Sequence, residues 1–315
     1  MTQDPTTPSA GPAYRFEMVP EGQRARALSL LLTGQWGEPG TAVDGFRAYI
    51  QQQGLSIHRL WVAWEGETPR VAGLVVPNPG RSAMLFLSPT RSRGQIDALG
   101  SLIRHVFANL GDLPGHLVQV LLEPSQRLER AAVDQGGFEH LADLAYLQRG
   151  LKGPEEPLPT DMPGFRVLRA DQAPEGWLER AILDSYEQTL DCPSLVGRRN
   201  VEDIVAGHRA TGVYDPTLWF LVAPEGSDEP VAVSLINPLM QPGGYELVYL
   251  GVSVSARGQG LAMRLLRLGM SRVAERSPHG TMYLAVDLRN TPALRLYRRS
   301  GFRQTAERAV FLRTT

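Results

Sequence analysis

Leu250-Gly251-Val252-Ser253-Val254-Ser255-Ala256-Arg257-Gly258-Gln259-Gly260-Leu261-Ala262 joins a Val-, Leu- and Tyr-rich stretch, residues 245–254, to residues 261–275, where apolar side chains recur at helical spacing. The pattern predicts a long strand running into a glycine turn and then a helix. Two glycines and a small residue at that junction leave backbone N–H groups uncovered, and a helix N-terminus adds positive potential. Such a turn suits a pyrophosphate, although glycines there also serve close packing. It is not a nucleoside-triphosphate loop, because no Gly-Lys-Ser/Thr follows and the chain's one lysine is Lys152. Nor does it open a parallel βαβ unit with an acidic residue about 20 positions on, as a dinucleotide fingerprint requires.

Working outward, the segment proves to be one copy of a repeat. Arg93-Gly94-Gln95 returns as Arg257-Gly258-Gln259, Gly137-Phe138 as Gly301-Phe302 and Arg149 as Arg313, all at a constant offset of 164 residues. Upstream the offset drifts, with Val71-Ala72 answering Val231-Ala232 and Asn78-Pro79 answering Asn237-Pro238, as expected where surface loops absorb insertions. Each half opens with a strand (14–19; 165–168) and a helix (24–32; 177–188). In the second half, strands at 218–223 and 230–237 flank Glu225-Gly226-Ser227-Asp228, a hairpin signature. A buried strand at 282–286 and a helix at 291–300 capped by Gly301 complete it. The fold class is therefore α+β: two tandem domains, each a mixed, largely antiparallel sheet flanked by helices. The expected boundaries are a disordered leader at 1–13, a first domain at 14–150, a proline-rich linker at 151–163 and a second domain at 164–315.

Composition narrows the function classes. Of 315 residues, 43% are hydrophobic and 21% charged, the balance of a globular protein. Cys192 is the sole cysteine, so no internal disulfide forms, and a reducing cytoplasm is the expected compartment. Apolar runs are far shorter than the roughly 20 residues that span a bilayer, so no membrane association is expected. Six scattered histidines offer no metal-ligand spacing. Net charge is −1, yet residues 257–315 carry +9 against −10 for the rest. That asymmetry favours a local site for a phosphate-bearing ligand over a nucleic-acid surface.

The block Arg257-x-x-Gly260-x-Ala262, preceded by Val252 and followed by Asn290-x-x-Ala293-x-x-Leu296-Tyr297-x-x-x-Gly301-Phe302, resembles the GCN5-related N-acetyltransferase (GNAT) superfamily. Val254 stands where such proteins often carry proline. The tandem organisation and the Glu246-initiated strand are similar to the mycothiol-synthase type. The resemblance implies an acyl-CoA-dependent N-acyltransferase that moves an acetyl group from acetyl-CoA directly to a primary amine of a small molecule or peptide, with no metal. Backbone groups of Arg257, Gly258, Gln259, Gly260, Leu261 and Ala262 would hold the pyrophosphate, with Arg257 adding charge. Those of Val252 and Val254 would pair with the pantetheine arm as an added strand does, the Val252 N–H polarising the thioester carbonyl. Tyr297 would protonate the departing thiolate; the alternative is a core phenol. Asn290 would contact CoA or simply cap its helix.

Glu246 is the candidate base. By parity it shares a face with Val248, Leu250 and Val252 and lies about 20 Å of path from Val252 along an extended strand, so a water relay is needed. Acceptor contacts are expected before the second hairpin, where Asp184, Glu187 and Asp191 cluster, with Asp191, Cys192 and His208 as pocket candidates. Such a cluster equally describes a solvated helix face. Cys192 is not expected to act as a nucleophile, having no recognisable base partner. In the first half, Ile96, Val133, Ser82 and Gln126 stand where the second has Gly260, Tyr297, Glu246 and Asn290. One working site per chain follows, with the first half structural. The non-enzymatic alternative is an acyl-CoA-binding regulator or scaffold.

Overall fold

A computed structural model describes residues 13–52, 54–153 and 162–315. The leader, apart from Ala13, and most of the linker lie outside the described residues. Two compact units emerge. One holds the described residues up to Pro77 together with Arg81–His140 and Phe311–Thr315. The other holds Asn78–Gly80 and the described residues of Leu141–Val310.

In the first unit, the strands β1 (Arg15–Met18), β2 (Leu60–Glu65), β3 (Thr68–Asn78), β4 (Ser82–Leu87) and β5 (Leu117–Leu122) lie in that order. Helices α1 (Arg24–Thr33), α2 (Thr41–Gln52), α3 (Arg93–Ala108) and α4 (Arg127–Gln135) flank them. Leu28, Leu30, Leu60, Val62 and Leu74 close one core.

The second unit begins with β6 (Glu139–Gly150), β7 (Phe165–Arg169), α5 (Trp177–Tyr186) and α6 (Val201–Ala210). Next come β8 (Trp219–Pro224), β9 (Ala232–Pro238), β10 (Gly244–Val252) and α7 (Leu261–Arg276). The chain ends with β11 (Thr281–Asp287), α8 (Thr291–Arg299) and β12 (Arg303–Thr314). The strand order is β12-β6-β11-β10-β9-β8-β7. One face packs Leu147, Leu247, Met282 and Leu284 against Leu266, Met270 and Tyr297 of α7 and α8. The opposite face packs Trp219, Leu221 and Leu235 against Trp177, Ile182 and Ile204 of α5 and α6. The buried amide of Asn237 accepts from Trp219 Nε1 at 2.7 Å and donates to the His208 and Thr211 carbonyls, fixing the end of α6 to β9.

The repeats exchange their terminal strands. β6 follows the first repeat in sequence yet pairs with β11 at seven consecutive positions, Gly150↔Thr281 to Leu144↔Asp287. Arg149 accordingly serves the second repeat's Gly301, packing on it and donating to the Ser300 carbonyl. Arg313 does the same in the first unit, packing on Gly137 and donating to the Gly136 carbonyl. The sequence boundary at residue 150 follows the repeat, whereas the compact units follow strand pairing. A fragment of residues 160–315 therefore loses β6 and leaves β11 an unpaired edge, a template for aggregation. Expressed alone, it should be recovered insoluble, while residues 139–315 should be recovered soluble; sedimentation of lysates distinguishes the two.

Candidate active site

The candidate site lies where β10 and β11 part. These strands run parallel but pair only at Gly244↔Thr281, Tyr245↔Met282 and Glu246↔Tyr283. β10 continues to Val252 along β9, and β11 continues to Asp287 along β6, so a wedge opens between them. Ser253 N–H bonds to the Val231 carbonyl on the β9 side. By strand alternation, the Val252 N–H points into the wedge. The Val252 carbonyl is already taken by Arg257 Nε at 3.1 Å.

A register shift between Leu247 and Tyr249 marks a bulge in β10 that reverses the alternation expected from sequence. Tyr245 and Leu247 face α7 and α8 with Leu250, whereas Val248 and Tyr249 face α5. Glu246 thus shares its face with Tyr249 rather than with Leu250 and Val252. Nothing in the residue pattern announces the bulge. The strand also ends at Val252, two residues earlier than the periodicity suggests, because Val254 opens a 3-10 turn whose first carbonyl accepts from Arg257 N–H.

Beyond that turn, Gly258 and Gly260 have φ of +81° and +79°, and a Cβ on either meets no atom within 4 Å. Gly260 is the N-cap of the 16-residue helix α7 and offers no side-chain cap. The first hydrogen bond into the helix is Arg264 N–H to the Gly260 carbonyl, so the N–H groups of Leu261, Ala262 and Met263 lack intrahelical acceptors. An open, uncapped helix start with no acidic residue in its first turn has the polarity that suits an anion. Arg257 does something the sequence did not disclose. Its guanidinium donates to the carbonyls of Ser185, Glu187 and Gln188, at 3.2, 2.7 and 3.3 Å, clamping the end of α5 to the end of β10. Gln259 reaches the Ser255 carbonyl at 3.3 Å.

The first unit answers each of these features differently. Its α3 starts at Arg93, so the residues matching the glycine turn are wound into helix, and Ser92 Oγ caps Gln95 N–H at 3.3 Å. Thr90 N–H, the counterpart of Val254 N–H, bonds at 2.6 Å to the buried carboxylate of Glu129. An internal acid thus occupies donors that the second unit leaves available.

Tyr297 is buried on α8, edge-on to Phe302 at 5.8 Å. Among the described residues its hydroxyl has no hydrogen-bond partner. Burial, then the nearby Asp191 carboxylate, push its pKa up, so it holds its proton throughout the physiological range. Asn290 caps α8, accepting from Ala293 N–H at 3.2 Å, and its side chain also bonds Asp191.

Asp191 is half-buried, its carboxyl raised mainly by burial, and it accepts from Asp287 N–H at 2.9 Å. Asp287 is fully buried; desolvation works against its charge, but Arg289 at 2.6 Å and the backbone donors Arg289 and Cys192 outweigh it and hold the carboxyl low. Cys192 sits at φ +45° with its N–H on Asp287 at 3.1 Å. Burial and the two aspartates push its thiol up to about 12, which removes the thiolate at neutral pH. Asp184 and Glu187 of the same run are exposed.

Around Tyr249 the structure joins Ser185, which the sequence pattern did not single out, to the candidate His208. Ser185 Oγ donates to the Ile182 carbonyl at 2.7 Å, so the Tyr249 hydroxyl donates to Ser185 at 2.7 Å. Gly251 is the legible trace of this contact: a Cβ there would lie 2.4 Å from Ser185 Oγ. His208 stacks on Tyr249 at 5.4 Å, and burial lowers its pKa to about 4, leaving the imidazole neutral. Glu246 is desolvated and its carboxyl raised, yet among the described residues it makes no hydrogen bond or ion pair.

Residues 174–302 match the acetyltransferase (GNAT) family model. A mycothiol acetyltransferase from Clavibacter sepedonicus is 46% identical over 239 residues, 72% of this chain and 71% of the relative. The chain belongs to the GNAT family. It is an acyl-CoA-dependent N-acetyltransferase. A mycothiol acetyltransferase from Acidothermus cellulolyticus is similar at 29% identity, covering 81% and 79% of the two chains. In fold, this GNAT protein is similar to a GCN5-related N-acetyltransferase from Sphaerobacter thermophilus, with a TM-score of 0.61 at 18% identity over 96% and 95% of the chains. A tandem GNAT protein from the clavulanic acid biosynthesis pathway aligns with a TM-score of 0.53 at 13% identity, over 96% and 98%. Among the described residues of this GNAT protein no helix is long and apolar enough to cross a membrane.

Proposed function

We propose that the second unit alone transfers acetyl from acetyl-CoA to a primary amine of a small molecule or peptide, by direct attack in a ternary complex. The observation that carries this reading is the uncapped start of α7 beside the β10–β11 wedge, together with a Tyr297 hydroxyl that bonds to nothing among the described residues. The N–H groups at residues 258–263 hold the pyrophosphate, and the Val252 N–H polarises the thioester carbonyl as charge develops on its oxygen. As the amine nitrogen bonds to the carbonyl carbon, the C–S bond breaks and Tyr297 gives its proton to the sulfur. Glu246 removes the amine proton through a water. Asp191, facing inward, draws the ammonium group before it is deprotonated. A cytoplasmic location accords with the single cysteine.

Release of free thiol from acetyl-CoA, measured across small amines, polyamines and peptide N-termini, tests the reading. Consumption with none of them contradicts it. The names of the similar proteins favour a second acceptor, the amine precursor of mycothiol, which belongs in the same panel.

The raised Glu246 carboxyl has a pH signature. A base must be ionised, so the acidic limb of kcat/KM should lie above the ordinary carboxylate range, and Glu246→Gln should abolish that limb. Because the folded state holds this proton more tightly than the unfolded chain, ionised Glu246 costs stability only as pH rises. Glu246→Gln should therefore raise Tm at pH above the folded pKa and leave it unchanged in acid; the opposite order contradicts the assignment.

A further inference from the structure

Between the end of α5, the loop that follows it and the start of α6 lies a cavity of about 430 Å³, within the size range of small-molecule sites. Its apolar wall includes Leu183, Val196 and Ile204, and Arg199 and Tyr186 line it as well. Leu183 and Val196 are large apolar side chains left about half exposed at its edge, 47% and 49%. Arg199 is the unusual member. It is half-buried; among the described residues its guanidinium bonds only to the Asp203 backbone carbonyl, at 2.6 Å, and its Nε is buried without a partner.

Burial acts against the Arg199 charge, opposed weakly by the Tyr186 hydroxyl and the Asp203 carboxylate, and no carboxylate forms an ion pair with it among the described residues. Glu187, the acid at the rim, is exposed and unpaired. A desolvated guanidinium that, among the described residues, forms no ion pair has its strongest available partner in a carboxylate. The cavity also adjoins the chemistry. Tyr186, one of its walls, packs edge-on against Tyr249 at 5.6 Å, and the Tyr249 hydroxyl lies within electrostatic range of Tyr297.

We propose that this cavity is an anion subsite for the acceptor, in which Arg199 binds a carboxylate carried on an apolar stem. The inference rests on the amine acceptor proposed above and narrows it. The acceptor is an amine that also bears a carboxylate, as a short apolar peptide with a free C-terminus does. Glu187 at the rim disfavours stems that carry a second anion there.

The full chain should be assayed with acetyl-CoA and apolar peptides of increasing length, each supplied with a free and with an amidated C-terminus. At the length that spans the two sites, kcat/KM should be about tenfold or more higher for the free acid, the size of one charge-assisted contact. Arg199→Met should erase the preference through KM, with kcat nearly unchanged, and Arg199→Lys should restore part of it. Val196→Trp fills the mouth without touching the guanidinium and should erase the preference too. Equal efficiency of acid and amide at every length, or a preference that survives both Arg199→Met and Val196→Trp, overturns the proposal.

Calorimetry of the same protein with phenylacetate and phenylacetamide reads the cavity without turnover. Tighter binding of phenylacetate, lost in Arg199→Met, supports the subsite even if no peptide is acetylated, in which case only the proposed peptide acceptor falls. Equal binding of the two probes overturns the subsite while leaving that acceptor reading intact.

Discussion

Tyr297→Phe lowers the single-turnover rate of acetyl transfer about 100- to 10,000-fold and leaves acetyl-CoA affinity nearly unchanged, the range expected for loss of a general acid. In barrier terms this is about 3–5 kcal/mol. Only the hydroxyl is removed, and the ring keeps its edge-on contact with Phe302 and its place in the core. Because that hydroxyl bonds to nothing among the described residues, its loss breaks no internal hydrogen bond, and stability should hardly move. Single-turnover measurement matters because product release masks a change in the chemical step. An unchanged rate removes Tyr297 from the mechanism.

Gly260→Ile abolishes acetyl-CoA binding. At φ +79° a β-branched residue is strained, and its side chain projects into the open space above the first N–H groups of α7, where an anion must sit. Gly260→Ala separates the two effects, since it carries most of the backbone penalty with far less bulk. Weakened but measurable binding in Gly260→Ala, beside none in Gly260→Ile, identifies obstruction as the cause. Undiminished affinity in Gly260→Ile contradicts the placement of the pyrophosphate.

The repeat, the α+β class and the glycine turn were legible in the sequence because each is written locally: in a spacing, an alternation, or a residue that alone tolerates positive φ. Of the candidate site, the glycine turn was legible. Gly258, Gly260 and Leu261 lie where the motif puts them, whereas Arg257 turned out to bind three carbonyls near the end of α5. Two features stayed hidden for a physical reason. The bulge at Leu247–Tyr249 inserts a residue without any glycine or proline to mark it, so the inferred face of Glu246 was reversed. The strand exchange is long-range pairing between β6 and β11, which no local pattern encodes. Even so, Arg149 and Arg313 carried its trace, since each repeat's terminal arginine serves the other repeat's Gly-Phe turn.

The same comparison supports the proposal of a single working site, in the second unit. Val133 replaces the phenol, Ser92 caps the helix that would greet the pyrophosphate, and Glu129 fills the loop with its own negative charge. An acyl-CoA phosphate would compete with a carboxylate already buried and bonded, which costs desolvation and repulsion together.

Isothermal titration of acetyl-CoA into the full chain tests this account most directly. It predicts one site per chain, lost in Gly260→Ile and retained in a variant of the first unit such as Ile96→Gly. Two equivalent sites per chain, or one site that survives Gly260→Ile, would contradict it.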